Sequence, residues 1–197
     1  MNKYKGVICM SRIIISTDGS SIAVNNQKGF DAAAAYVIYY GDKMIHKESI
    51  LLKNHTNNYA EMYAIYKGTK YLVDNEVGIY DASEVLIVTD SQLCQKTLTE
   101  WMKGWLKKTD NEVLKSTTGE VKNQELIKSA YINILMLELI LPVSVCHINS
   151  HKPESEIPKM YEKFSQEFPD ILIDEFKMIY EGNRLCDTMA YDELNKK

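Results

Sequence analysis

The chain alternates between short runs of apolar β-branched residues and longer stretches in which apolar residues recur every three or four positions. Ile13, Ile14 and Ile15 head the run 12–18, which predicts a strand buried on both faces and ending at Asp18. Residues 32–42 (AAAAYVIYYGD) and 43–53 (KMIHKESILLK) predict two further strands joined at Gly41-Asp42, an antiparallel meander. Residues 55–75 predict a helix that Thr56, Asn57 or Asn58 can cap. A strand is expected over 84–90, ending in Thr89-Asp90. A helix follows over 91–108, with Cys94, Leu98, Trp101 and Trp105 as its apolar stripe. Residues 109–121 are polar and read as a loop. Residues 122–140 predict a helix closed by Pro142, and 143–149 a strand. A charged stretch with three prolines then holds a helix at about 157–168 or 170–181. A last helix is expected from Gly182-Asn183 onward. Three strands in a meander followed by alternating helix and strand predict a mixed sheet with helices on its faces.

Within that order, four carboxylates stand at unusual places. Asp18 and Asp90 end predicted strands. Glu61 shares its helix face with Ile65, Gly68 and Leu72, so it points toward the sheet. The face of Asp187 continues through Ala190 or Tyr191 to Leu194. A buried carboxylate without a partner is costly, so four of them need a shared cation or separate donors. Each also has a plain structural reading. Asp18 suits a turn, Asp90 a helix cap, Glu61 a capping box, and Asp187 the first turn of a helix.

Composition narrows the class. The 197 residues are 45% hydrophobic and 25% charged, an ordinary globular balance. A net charge of −4 argues against binding nucleic acid through bulk charge, while leaving room for a local basic strip. Four scattered cysteines (Cys9, Cys94, Cys146, Cys186) without C-x-x-C read as reduced, buried hydrophobes. The piece GVICM at 6–10 is too short for a signal-peptide core. The longest apolar region is broken by Glu138 and Pro142 and cannot span a bilayer. A soluble, cytoplasmic protein with no membrane partner is expected.

Six short pieces, in order, then resemble one family. They are TDGS (17–20), TNNYAEMYAI (56–65), VTDSQ (88–92), VKNQEL (121–126), INSH (148–151) and GNRLCDTMA (182–190). Together they are similar to type 1 ribonuclease H. The resemblance implies an α/β RNase H-like fold, a five-stranded mixed sheet in βββαβαβα-type order flanked by helices. It implies a single RNase H domain over 1–197 that hydrolyses the RNA strand of RNA–DNA hybrids. It implies that Asp18, Glu61, Asp90 and Asp187 hold two Mg²⁺ or Mn²⁺ ions, and that His151 assists catalysis. Substrate contacts would fall on Gly19, Ser20, Asn57, Asn58, Gln92, Lys122, Asn123 and Asn183. The residue types agree with this chemistry. Hard cations take oxygen ligands, and sensing a ribose 2′-hydroxyl suits amides and backbone groups.

The sequence departs from compact members after His151. Residues 152–182 form an insert before the last acid, with Tyr161, Phe164, Phe168, Phe176 and Tyr180 at helical spacing. It reads as a helical hairpin packed on the domain or as a lid beside the metals. His147 and His151 are four apart, but on a strand and with no third soft ligand near, so zinc is not expected. Trp101 and Trp105 read as core. Lys103, Lys107, Lys108, Lys115 and Lys122 could form a basic handle, diluted by Asp110, Glu112 and Glu120. A nuclease acting on another nucleic acid and a non-catalytic binding module are the competing readings. Loss of a metal acid would mark the latter, and all four are present.

Overall fold

The computed structural model describes residues 11–23, 30–76, 81–108 and 113–196. Cys9, the piece 6–10, Asp110 and Glu112 lie outside them. The main sheet is built from β1 (Ser11–Ala23), β2 (Phe30–Tyr40), β3 (Lys43–Leu52), β4 (Ala82–Thr89) and β7 (Val143–His147). Its order is β3-β2-β1-β4-β7. β2 pairs antiparallel with both β1 and β3, while β4 pairs parallel with β1 and β7. This is the expected mixed five-stranded sheet.

Strand alternation explains the layers. Ile13, Ile15, Ile38, Val85 and Ile87 point to one face, where they meet α1 (Asn57–Asp74), α2 (Gln92–Lys96) and α4 (Gln124–Glu138). Ile14, Leu86, Val88 and Cys146 point to the other. There α5 (Ile157–Glu167) and α6 (Ile173–Leu194) cover them with Ile157, Phe164, Phe176, Ile179 and Tyr180. The insert is therefore a helical layer over β4 and β7, and its aromatic residues are core.

Two predicted boundaries move. β1 does not end at Asp18. It continues to Ala23, with Asp18 opposite Ala35 and Ser21 opposite Ala32. The last helix does not open at Gly182. α6 runs unbroken through it, because a Cβ there would lie 2.6 Å from the Ser16 hydroxyl. Close packing on β1 outweighs the roughly 1 kcal/mol that a mid-helix glycine costs. Smaller differences follow. The helix after β4 passes through a π turn at Thr97–Trp101 into α3 (Met102–Lys107), and Trp101 is exposed while Trp105 packs partly on the core. The predicted loop contains a short hairpin, β5 (Lys115–Ser116) with β6 (Gly119–Glu120).

Arg12 fastens the insert to the sheet. It is buried in β1 and bonds Glu84 of β4, Asp170 before α6, and Glu175 of α6 at 2.9 Å. Cys94, Cys146 and Cys186 are free and buried. Among the described residues, no helix is long and apolar enough to cross a membrane.

Candidate active site

The site begins with small residues. Ala32 and Ala34 of β2 pack with Ala60 and Ala64 of α1, and Ala33 and Ala35 pack with Cys186 and Ala190 of α6. These short side chains let one helix approach each face of β1–β2 closely. Gly19 completes the fit, since a Cβ there would stand 2.3 Å from the backbone nitrogen of Glu61. Glu61 is thereby brought beside Asp18 from one side.

Asp187 is brought in from the other side, about four turns into α6 rather than in its first turn. The helix is held to β1 by Asn183, whose amide donates to the Thr17 carbonyl at 2.7 Å, and by Cys186, whose thiol contacts the Ser16 carbonyl at 3.1 Å. Asn183 is fully enclosed, so in this conformation it positions the strand.

Asp18 is buried and lies mid-strand, which excludes the turn reading. Its Oδ1 accepts from the Gly19 N–H at 2.7 Å. Burial, and then the charges of Asp90 and Asp187, hold its carboxyl well above the usual carboxylate range. Glu61 is also raised, by burial first and by Asp90, against opposing hydrogen bonds from Ser91 and Cys94. Its Oε1 accepts from the Asn57 amide at 2.8 Å.

Asp90 follows β4 but does not cap α2; Ser91 does, accepting from the Cys94 N–H. The Asp90 carboxylate is thus free for other work. Its Oδ2 lies 3.0 Å from His151 Nε2, and its Oδ1 is buried without a hydrogen-bond partner. The His151 side chain is 64% exposed, so it reaches the acids from solvent. His147 donates from Nε2 to the Asp90 carbonyl at 2.9 Å, with burial lowering its basicity.

The remaining predicted residues line the surroundings. Ser20 and Asn57 are half-buried, and Asn58 and Gln92 are exposed near the acids at the starts of α1 and α2. Gly19 is buried against α1. Lys122 and Asn123 are exposed just ahead of α4, with Asn123 in the left-handed region at φ 56°. The sequence pattern gives His147 as a strand residue and Cys94 as a core hydrophobe, and assigns Ser91 no role. The Thr-Asp-Ser ending of β4 carried a usable signal for Ser91. The contacts of His147 and Cys94 depend on strands and helices far apart in sequence.

The donors fit a hard divalent cation. They are carboxylate oxygens, one of them buried and unpartnered, and their mutual repulsion is what a cation relieves. Among the described residues no three His, Cys, Asp or Glu side chains already stand close enough to share one ion. The acids are neighbours in pairs, Asp187 with Asp18, Asp18 with Asp90, and Asp90 with Glu61.

The sequence profile of the RNase H family matches residues 10–163, and the chain belongs to that family. The resemblance to type 1 members read from the six motifs holds. Ribonuclease HI of Campylobacter jejuni is 36% identical over 100 residues, which span 50% of this chain and 60% of that relative. The prototype foamy virus RNase H domain superposes with a TM-score of 0.64 at 21% identity, over 95% of this chain and 96% of that one. The foamy viral protease–reverse transcriptase solved with an RNA/DNA hybrid gives a TM-score of 0.55 at 19% identity, over 91% of this chain and 19% of that one. At these identities the two structures carry the fold.

Proposed function

We propose that this chain is a metal-dependent endoribonuclease that hydrolyses the RNA strand of RNA–DNA hybrids. Asp18, Glu61, Asp90 and Asp187 would hold two Mg²⁺ or Mn²⁺ ions. The observation that carries the reading is the run of neighbouring acids that β1, α1, the end of β4 and α6 bring together, Asp187 with Asp18, Asp18 with Asp90 and Asp90 with Glu61, where burial and then the charges of Asp90 and Asp187 raise the Asp18 carboxyl. A structural role gives no reason to collect like charges there. Family membership supports it, as do the name of the Campylobacter jejuni relative and the hybrid bound to the foamy viral protein.

When bound, paired divalent cations activate a water nucleophile and stabilise the leaving oxygen of a phosphodiester. The chain's own groups do the rest. Asn57 holds Glu61 in place and, with Asn58, Ser20 and Gln92, offers amides and a hydroxyl to a ribose 2′-hydroxyl. Gly19 lets α1 carry Glu61 up to Asp18. Asn183 fixes β1 where Asp18 sits. His151, on Asp90 and open to solvent, moves a proton between the reacting centre and water. Lys122 and Asn123 supply backbone contacts to the duplex. The described residues act as one catalytic domain bearing the 152–182 insert, and the buried free thiols suit a reducing, cytoplasmic setting.

Incubation with an end-labelled RNA–DNA hybrid, with duplex RNA and duplex DNA as controls, tests the reading. Cleavage confined to the RNA of the hybrid and dependent on Mg²⁺ or Mn²⁺ is expected. Equal cutting of duplex DNA, or none of the hybrid, would overturn it.

A further inference from the structure

The insert walls one side of a cleft of about 340 Å³ beside the acids. Gln92, His147 and Asn149 line the side belonging to the sheet, and Lys152, Met160 and Lys163 line the other. The cleft adjoins the candidate active site through residues that touch or neighbour its members, although none of the four acids lines it. His147 bonds the Asp90 carbonyl, Gln92 lies two residues past Asp90, and Lys152 follows His151.

Its charge is unlike that of the acids it adjoins. Lys163 is exposed, makes no ion pair with a described residue, and lines the same cleft as His147. Lys152 is held only loosely, 3.8 Å from Glu156. Among the described residues Glu167 is the one carboxylate in the lining, so two ammonium groups face a single acid. Gln92 and Asn149 add neutral amide donors. Ammonium groups with amide donors around a polar cleft make a receptor for a phosphodiester group.

We propose that this cleft is a phosphate subsite, built by the insert, for the backbone of the strand whose scissile phosphate lies at the acids. The inference rests on the nuclease reading above. It gives the insert a role in substrate binding, since α5 supplies Lys163 and the segment leading to it supplies Lys152. It also offers a way for a chain of net charge −4 to hold a polyanion beside a cluster of carboxylates.

The test uses fluorescence anisotropy of a labelled hybrid bound to the Asp18→Asn chain over a series of salt concentrations. Adding Lys163→Gln should weaken binding several-fold and reduce the slope of log Kd against log salt by about 0.9, and adding Lys152→Gln should roughly double that reduction. Lys163→Arg should retain the affinity and slope. In the chain with its acids intact, Lys163→Gln should raise KM and leave kcat unchanged. Unaltered affinity and slope in Lys163→Gln overturn the subsite. So does equal weakening by Lys163→Arg, which would mean that shape rather than charge matters. Hybrid cleavage by the parent chain is measured alongside. If the parent cleaves and the lysine variants bind as before, the subsite alone fails; if the parent does not cleave, the nuclease reading fails.

Discussion

His151 Nε2 lies 3.0 Å from Asp90 Oδ2, although the chain departs from the compact family pattern immediately after this histidine. The insert packs over β4 and β7 and leaves His151 open to solvent. His151→Ala should therefore slow hybrid cleavage by about 10²-fold or more without abolishing it, because proton transfer is one contribution among several. Single-turnover and steady-state rates check this. Parent-like rates in both regimes would remove His151 from the machinery.

Gly19 is a packing requirement of the site. A Cβ there meets backbone atoms of Ala60 and Glu61 at 2.7 and 2.3 Å, and neither can rotate away. Gly19→Ala should destabilise the fold by about 1–3 kcal/mol and depress cleavage, as α1 is forced off β1. Denaturant unfolding reads the first effect. An unchanged midpoint would mean that α1 sits less tightly than described.

The acids predict a pH dependence for the metal-free protein. The folded-state pKa of Asp18 is raised, so the folded chain retains a proton that the unfolded chain loses above about pH 4. The proton-linked stability is present below that pH and is lost as pH rises toward the raised folded value, by up to about 1.4 kcal/mol per pH unit. In chelator, Tm should fall from mildly acid to alkaline pH. Asp18→Asn should flatten the fall and raise Tm at neutral pH, and Mg²⁺ should stabilise the parent there. A parent Tm that climbs with pH across this range would contradict the electrostatic account.

Arg12 should prove structural. Its side chain is 7% exposed, and those of its partners Glu84 and Glu175 are 20% and 26% exposed. Arg12→Leu leaves these acids facing one another. A lost buried partner costs about 3–5 kcal/mol when the remaining charge stays buried. Partial exposure lets water reach both acids, so about 2 kcal/mol is expected here. Urea unfolding gives the value. Cleavage per folded molecule should stay near that of the parent.

Much of this was legible in the sequence because each acid sits in a short local motif. The runs ending at Asp18 and Asp90 and the face shared by Glu61, Ile65 and Leu72 needed no knowledge of the fold. What failed was local propensity overridden by tertiary contact. Gly19-Ser20-Ser21 is turn-forming composition, yet pairing with Ala32–Ala34 keeps it in the ladder. Gly182-Asn183 looks like a helix opening, yet Ser16 and the Thr17 carbonyl across the interface fill and bond those positions. The contact of His147 was not legible, because its partner is a backbone carbonyl 57 residues away. The cleft with Lys163 was equally invisible, since its walls come from β7, the start of α2 and the insert.

Metal-dependent hydrolysis is the role proposed for Asp18 and its neighbouring acids. The most direct measurement is hybrid cleavage in Mg²⁺ by Asp18→Asn, with its melting temperature recorded in chelator. The account predicts that cleavage is lost while Tm is equal to or above that of the parent in chelator. Parent-rate cleavage by a folded Asp18→Asn protein would contradict it.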